Sequence, residues 1–294
     1  MVQKLKYAYY PGCSAESTAR DQYMSVVEVA RALDIELIEP KGWTCCGSTP
    51  AHHTSHLLSI ALPSANLLMA QKMDLDMAVF CAACYHRMKV ANHEIQTNSK
   101  IREQVSAALG EEYDGSVRVL HFVELLTKVM GTQNLKKHFS HSLNGLKVAS
   151  YYGCLLVRPG EVTGFDDPEN PTLIDDLVES MGGKSIDWPY KTECCGGGFA
   201  ISRTDIVIEL SRPILDMARA SGADCISVAC PMCQINLDMR QSDINKMNKT
   251  NFEMPIVYIS QLLGLCLGIS PRKLGMNKCT ISAKPVMAAV SALQ

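Results

Sequence analysis

The chain has 294 residues, enough for two domains of ordinary size, and with 47% hydrophobic and 20% charged residues it has the composition of a globular protein with a sizeable core. A formal net charge of -2, with lysines and arginines scattered rather than run together, excludes a surface that tracks a nucleic-acid backbone. The N-terminal "MVQKLKYAYYPGC" lacks an apolar stretch of signal-peptide length and "PIVYISQLLGLCLGIS" is too short to cross a bilayer, so a cytoplasmic protein without direct membrane insertion is expected.

In chain order, "LKYAYY" reads as a strand running into Cys13, and "DQYMSVVEVARALD" as a helix with Met24, Val27, Ala30 and Arg31 flanking its apolar stripe. "IELIEP" is a second strand, followed by "GWTCCGSTP" with the adjacent Cys45 and Cys46. "DMAVF" is a strand feeding "CAAC", which carries Cys81 and Cys84, and "RVLHFVELL" follows it. The segment "GTQNLKKHFSHSLNG", residues 131–145, is polar and bounded by glycines, and the division into domains 1–138 and 139–294 is placed there. The second part repeats the plan with "LKVASYY" before Cys154, "TLIDDLVESMGG", then "TECCGGG" with Cys194 and Cys195. "CISVA" feeds "CPMC" with Cys230 and Cys233, and "PIVYISQLL" closes the unit.

The order of cysteine motifs is identical in the two parts, and 34 residues separate the double cysteine from the CxxC in each; the earlier gap is 31 residues in one and 39 in the other. This is an internal duplication. It absorbs ten of the 13 cysteines; Cys225, Cys266 and Cys279 fall outside it and are read as packing residues. The expected fold is α/β, two duplicated Rossmann-like units whose cysteines sit at the carboxyl ends of the strands, where open parallel sheets form their crevices.

So many cysteines in a cytoplasmic chain favour metal ligation over a disulfide framework. Five thiols per unit exceed the four of a structural zinc, and the compact CxxCxxCxxxCP spacing of bacterial ferredoxins is absent. Adjacent cysteines chelate one ion poorly, but they can bind neighbouring irons of a cluster, or one thiolate can bridge two irons. Gly47 and Gly196 to Gly198 would then let backbone approach the cluster and offer it N–H groups. No GxGxxG fingerprint stands at a strand-to-helix turn, so flavin and nicotinamide binding have no support.

The doubled order Cys, Cys-Cys-Gly, Cys-x-x-Cys resembles the CCG cysteine-rich domain family, and two copies in a chain of this length resemble the family of heterodisulfide reductase B subunits over roughly residues 5–265. The resemblance implies two noncubane [4Fe-4S] clusters. Their ligands would be Cys13, Cys45, Cys46, Cys81 and Cys84 for one, and Cys154, Cys194, Cys195, Cys230 and Cys233 for the other. It also implies reduction of the coenzyme M–coenzyme B heterodisulfide to two thiols in methanogenesis. The implied partners are the ferredoxin-like and the flavin-bearing subunits of such a reductase, with hydrogenase or formate dehydrogenase as the electron source. A disulfide takes two electrons and a cluster passes one at a time, so two clusters facing one S–S bond match the duplication. On this reading the substrate lies between the domains.

Both coenzymes are anionic, so fixed cations are expected near the motifs. The candidates are His52, His53 and His56, with His52 and His56 on one face of a helix start, together with His86, Arg87, Arg158, Lys191 and Arg203. Tyr9, Tyr10, Tyr151 and Tyr152 are read as walls around the clusters, or as proton donors. Two alternatives stand beside this reading. One is an iron-sulfur component of a lactate, glycolate, succinate or fumarate oxidoreductase; the other is a non-catalytic zinc-binding scaffold. A thioredoxin-like role for either CxxC is disfavoured because each lies inside the larger repeat.

Overall fold

The computed structural model describes residues 5–293. Two parallel four-stranded sheets form the framework. The first contains β1 (Leu5–Tyr10), β2 (Ile35–Ile38), β3 (Met77–Val79) and β4 (Val119–His121), in the order β2-β1-β3-β4. A two-residue strand β5 (His141–Ser142) precedes the second sheet, which contains β6 (Lys147–Tyr151), β7 (Lys184–Ser185), β8 (Cys225–Val228) and β9 (Ile256–Tyr258). Their order is β7-β6-β8-β9, the same topology as the first. Near the C-terminus β10 (Ser291–Ala292) pairs antiparallel with β5. The duplicated α/β fold expected from the motifs is the fold observed.

The central strands are short apolar runs without polar alternation, because both faces are covered; β3, β4, β8 and β9 are buried at every position. Three helices of the first half matter for the site: α1 (Arg20–Ala32), α2 (Ser48–Thr54) and α3 (His56–Lys72). α1 buries Gln22, Ser25, Val26, Val29 and Ala30, while Met24, Val27 and Arg31 lie at the margin of that stripe. The CxxC of the first half opens α4 (Ala82–Thr97). In the second half the corresponding pieces are α5 (Cys154–Val157), α6 (Leu173–Ser180), α7 (Thr204–Ala220), α8 (Pro231–Asp238) and α9 (Ile259–Cys266).

The halves pack reciprocally. α1, which follows the first strand of one half, packs on α9, which follows the last strand of the other, and α6 packs on the segment Phe122–Glu124 after β4. Ser25 and Ser260 share a hydrogen bond at 2.7 Å across this contact, both buried. The Tyr85 hydroxyl donates to the Thr163 carbonyl at 2.9 Å, and the His121 ring meets the Ala229 carbonyl at 3.2 Å. One continuous hydrophobic core runs through both sheets. The segment beyond the duplication straps the halves together: Gly275 lies against Asp21, and Asp238 accepts the backbone N–H groups of Thr280 and Ile281 at 2.7 and 3.0 Å. Among the described residues no helix is long and apolar enough to cross a membrane. Cys225 and Cys266 are buried in the core and Cys279 packs against it, as expected of packing residues.

Candidate functional site

In each sheet the chain direction of the connections reverses between the second and third strands of the order, at β1/β3 and β6/β8. That reversal splays the connecting loops and opens a crevice outside the carboxyl ends of those strands. Cys13 and Cys81 follow β1 and β3; Cys154 and Cys230 follow β6 and β8. Cys81 and Cys230 are the N-cap residues of α4 and α8, so each CxxC places two thiols in the first turn of a helix, where the partial positive end favours thiolate. In α8, Pro231 occupies the first helical turn, where no N–H partner is needed.

The double cysteine is held the same way in both halves. Gly47 and Gly196, immediately after the pairs, have φ of 80° and 77°, the left-handed conformation that suits glycine and turns the chain into the following helix. A Cβ at Gly47 would come within 2.6 Å of the Ala51 Cβ, so this glycine is required by helix packing as well. Two further glycine backbones lie against thiols of the CxxC helices. A Cβ at Gly12 would sit 3.6 Å from Cys84 Sγ, and one at Gly153, 3.3 Å from Cys233 Sγ. The expected N–H donation occurs after both pairs: Gly196 N donates to Cys194 Sγ at 3.3 Å, and the Gly47 N–H bonds Cys45.

The sulfurs contact one another in matching pairs. Cys46 and Cys84 lie 3.4 Å apart, Cys195 and Cys233 3.6 Å apart. All of these cysteines are free thiols; Cys13 hydrogen-bonds Cys45 and Cys154 hydrogen-bonds Cys194, and further thiol hydrogen bonds link Cys81 with Cys84 and Cys230 with Cys233. The two sets touch, because the thiols of Cys81 and Cys230 interact directly across the halves. The hydrogen bond from Cys154 holds the Cys194 thiol down, to about 6, and the one from Cys13 likewise drives Cys45 well below the ordinary thiol range. Cys13 and Cys154 are correspondingly pushed up. Cys13, Cys45 and Cys194 are exposed, while Cys46, Cys84, Cys195, Cys230 and Cys233 are buried. Among the described residues no three or more histidine, cysteine, aspartate or glutamate side chains are drawn together around a single-ion position. Five thiols per half, glycine backbone against two of them and a backbone N–H on a third fit an iron-sulfur cluster chemically.

A cavity of ≈ 230 Å³ opens onto the second set. All five of its cysteines line it, with Tyr152, Leu155 and Met232, and the first half contributes Ser48, Ala82, Ala83 and Arg87. Of the expected cations, the structure brings Arg87 alone to this wall. Lys191 is buried and bonds Asp175 at 3.1 Å, while its carbonyl accepts the N–H groups of Tyr152 and Gly153. Arg158 pairs with Glu169 at 2.9 Å and braces the Thr192 carbonyl, two residues before Cys194. Arg203 pairs with Asp205 at 2.7 Å and is exposed. His52, His53 and His56 are exposed beside the first double cysteine. His52 and His56 do not share one helix: α2 ends at Thr54, and Ser55 is extended and caps α3 through its side chain, so the chain turns between them. His86 is buried, and desolvation lowers its pKa to about 4.

The tyrosines act as braces more than as walls. Tyr10 and Tyr151 each stand three residues before the first cysteine of their half, and each hydroxyl donates to the carbonyl preceding the double cysteine, Thr44 at 2.9 Å and Glu193 at 2.6 Å. The Tyr152 hydroxyl donates to Asp175 at 2.7 Å, and Tyr9 packs edge-on against Phe80. Two asparagines join the site without belonging to any motif. Asn66 accepts from Thr44 N at 2.8 Å and donates to the Thr44 and Leu62 carbonyls; Asn236 donates to the Cys195 carbonyl at 2.9 Å. The signal that could have found Asn66 is a polar residue inside an apolar helix such as "SIALPSANLLMAQK", where it is wholly buried.

The sequence signature described as "CCG: Cysteine-rich domain" matches residues 7–89 and 148–238. The chain belongs to this cysteine-rich CCG family. It is 33% identical over 252 residues, 84% of either chain, to the B subunit of the ferredoxin:CoB-CoM heterodisulfide reductase of Methanosarcina mazei. It is 30% identical over 281 residues, 95% of this chain and 98% of the other, to the 8-methylmenaquinol:fumarate reductase membrane anchor subunit of Wolinella succinogenes. A crystal structure of a hypothetical protein from Helicobacter pylori superposes with a TM-score of 0.77 at 10% identity over 96% of this chain, which shows a shared fold; this CCG protein spans 53% of that chain.

Proposed function

We propose that this chain is the disulfide-reducing iron-sulfur component of a multisubunit oxidoreductase, equivalent to the B subunit of a heterodisulfide reductase. The observation that carries the reading is the approach of two equivalent five-thiol sets, Cys81 to Cys230, with Ser48, Ala82 and Ala83 of the first half lining the cavity on the second set; two clusters held there would face each other across one interface. Cys13, Cys45, Cys46, Cys81 and Cys84 would hold one noncubane [4Fe-4S] cluster, and Cys154, Cys194, Cys195, Cys230 and Cys233 the other. When bound, the pair would supply two electrons and thiophilic iron. The balance is R–S–S–R′ + 2 e⁻ + 2 H⁺ → R–SH + R′–SH, with the electrons drawn from a ferredoxin-like partner.

The chain's own residues set the stage for that reaction. Ala82, Ala83, Leu155 and Met232 keep water from the wall of the cavity on the second set. The first turns of α4 and α8 stabilise anionic sulfur. Tyr10, Tyr151, Asn66 and Asn236 fix the loops that carry the double cysteines. Arg158 and Lys191, engaged with Glu169 and Asp175, serve the same scaffold. We place the protein in the cytoplasm, docked on its electron donor.

The near full-length similarity to the Wolinella protein favours one second reading, electron exchange with a quinol-linked fumarate reductase. Both are tested by iron, zinc and sulfide analysis of anaerobically prepared protein, followed by electron paramagnetic resonance after addition of a thiol under oxidising conditions. About eight irons per chain, as two four-iron clusters require, and a thiol-dependent signal support the disulfide reading. Iron with no response to thiols, but oxidation by a quinone, supports the second. Zinc without sulfide overturns both.

A further inference from the structure

Cleaving a disulfide consumes two protons as well as two electrons, and the last strands of the two sheets differ in a way that bears on the protons. In the duplicated motif "VLHFVELL" aligns with "IVYISQLL", so His121 ends β4 where Tyr258 ends β9. His121 is closed: its Nδ1 accepts the Val123 N–H at 3.3 Å, and its Nε2 donates to the Ala229 carbonyl at 3.2 Å. Tyr258 is open. The carbonyl that mirrors Ala229 is that of Phe80, and the Gln22 amide takes it at 2.6 Å; among the described residues the buried Tyr258 hydroxyl has no hydrogen-bond partner. A buried polar group left unpaired keeps its desolvation cost and calls for a reason. The charges that act on this hydroxyl are, in order of strength, those of Asp21, Cys230, Cys81 and Cys279, so a carboxyl and the thiols at which the two sets meet are both within its electrostatic reach.

Asp21 lines a cavity of ≈ 290 Å³ between the start of α1, the end of α8 and the C-terminal strap, and this cavity shares no residue with the one on the second thiol set. Exposed Ser17, Thr18 and Thr280 stand at its rim, and buried Asp21, Gln234 and Asp238 at its floor. The charged and titratable groups around Asp21 are Arg20 beside it on α1, Asp238 on α8, Lys278 and Cys279 on the strap, and Tyr258 immediately before α9. Asp238 is engaged with Gln234, Thr280 and Ile281, whereas Asp21 accepts the backbone N–H groups of its own turn. Desolvation holds the Asp21 carboxyl at about 6, where it takes up and releases protons near neutral pH.

We infer that Asp21 and Tyr258 form a proton-delivery pair: protons enter from solvent through the cavity under the strap, pass to the Asp21 carboxyl, and are handed by the Tyr258 hydroxyl to sulfur at the Cys81–Cys230 interface. This rests on the disulfide-reducing reading proposed above. Two-electron cleavage of the S–S bond leaves two thiolates. For each, the Tyr258 O–H bond breaks as the S–H bond forms, the hydroxyl takes the Asp21 proton in the same step, and the carboxylate is reprotonated from the cavity. Two turns of the relay close the proton balance, while the electrons come from the ferredoxin-like partner.

One test needs no turnover. In infrared spectra of the protein titrated from about pH 5 to about pH 8, a protonated-carboxyl band is expected to disappear with a midpoint near 6, to be missing in Asp21→Asn and to be shifted in Tyr258→Phe. A band indifferent to Tyr258→Phe overturns the pairing. The second test follows reduction of bis(2-hydroxyethyl) disulfide by the iron-loaded protein, with reduced methyl viologen as electron donor. Wild-type kcat is expected to fall as pH rises through about 6. Tyr258→Phe should lower kcat roughly a hundredfold, with KM, iron and sulfide unchanged and no loss of stability, since its hydroxyl has no bond to lose. Asp21→Asn should lower kcat and remove the limb near pH 6, and Asp21→Glu should keep part of the rate. Wild-type kcat in Tyr258→Phe, or a limb that survives Asp21→Asn, overturns the relay while leaving disulfide reduction in place. If either variant loses iron, the infrared shift decides. A wild type that reduces no disulfide overturns the disulfide reading itself, and the relay's destination with it.

Discussion

The Tyr10 hydroxyl reaches 34 residues along the chain to donate to the Thr44 carbonyl at 2.9 Å, and Tyr151 repeats the bond on Glu193 at 2.6 Å. Since a carbonyl next to a double cysteine sets the direction of the following peptide, these two bonds aim the paired thiols. Tyr10→Phe and Tyr151→Phe should each cost about 1 kcal/mol in stability, the ordinary net worth of a hydrogen bond. Each should also accelerate iron loss from its own half, read by the decay of visible absorbance in the presence of a chelator.

Replacing a member of a thiol pair and replacing a packing cysteine should have opposite signatures. Cys46→Ser removes one side of the 3.4 Å contact with Cys84 and, on the two-cluster proposal, is expected to lower iron content by about half. Cys225→Ala, at the start of β8, should leave iron and sulfide unchanged and cost about 1 kcal/mol in unfolding measurements, as a small buried truncation. Metal analysis of the two variants side by side checks both.

Asn66 makes three hydrogen bonds from a fully buried position, two of them to the backbone of Thr44. Asn66→Ala should destabilise the protein by about 2–3 kcal/mol, because the partners keep their desolvation cost without their bonds. Asn66→Asp puts a carboxyl against the Thr44 and Leu62 carbonyls, so at neutral pH it should lower the denaturant midpoint at least as much as Asn66→Ala, and recover as the pH falls and the carboxyl regains a proton to donate.

Asp21 is buried under the C-terminal strap, and desolvation pushes its carboxyl up to about 6. Between its ordinary pKa and that value the folded protein retains a proton that the unfolded chain has released. Its contribution to stability is therefore full at low pH and is lost as pH rises through about 6. Between pH 7 and pH 5 it should add about 1 kcal/mol. Asp21→Asn should remove that part of the pH dependence, measured as the difference between wild-type and variant unfolding free energies at the two pH values.

The duplication and its strands were legible in the sequence because spacing and apolar runs are properties of the linear chain, and both halves place them alike. The cysteines were legible for the same reason. What escaped was set by partners far along the chain. Lys191 reads as a free cation until Asp175 is folded beside it, and Arg158 until Glu169 and Thr192 are. His52 and His56 read as one helical face until Ser55 breaks the helix between them. Gly12 and Gly153, standing just before the first cysteine of each half, are overshadowed by the more conspicuous glycines after the double cysteines, although it is they that lie against thiols of the CxxC helices.

The contact between Cys81 and Cys230 gives the two halves a common wall, and that has a consequence for assembly. On the two-cluster proposal, neither site is closed until the halves have docked, because the far side of each would otherwise face water. The sheets resemble two copies of one ancestral unit, yet each site depends on the presence of both. Iron should therefore enter only after the halves have packed together, each site then filling and emptying on its own.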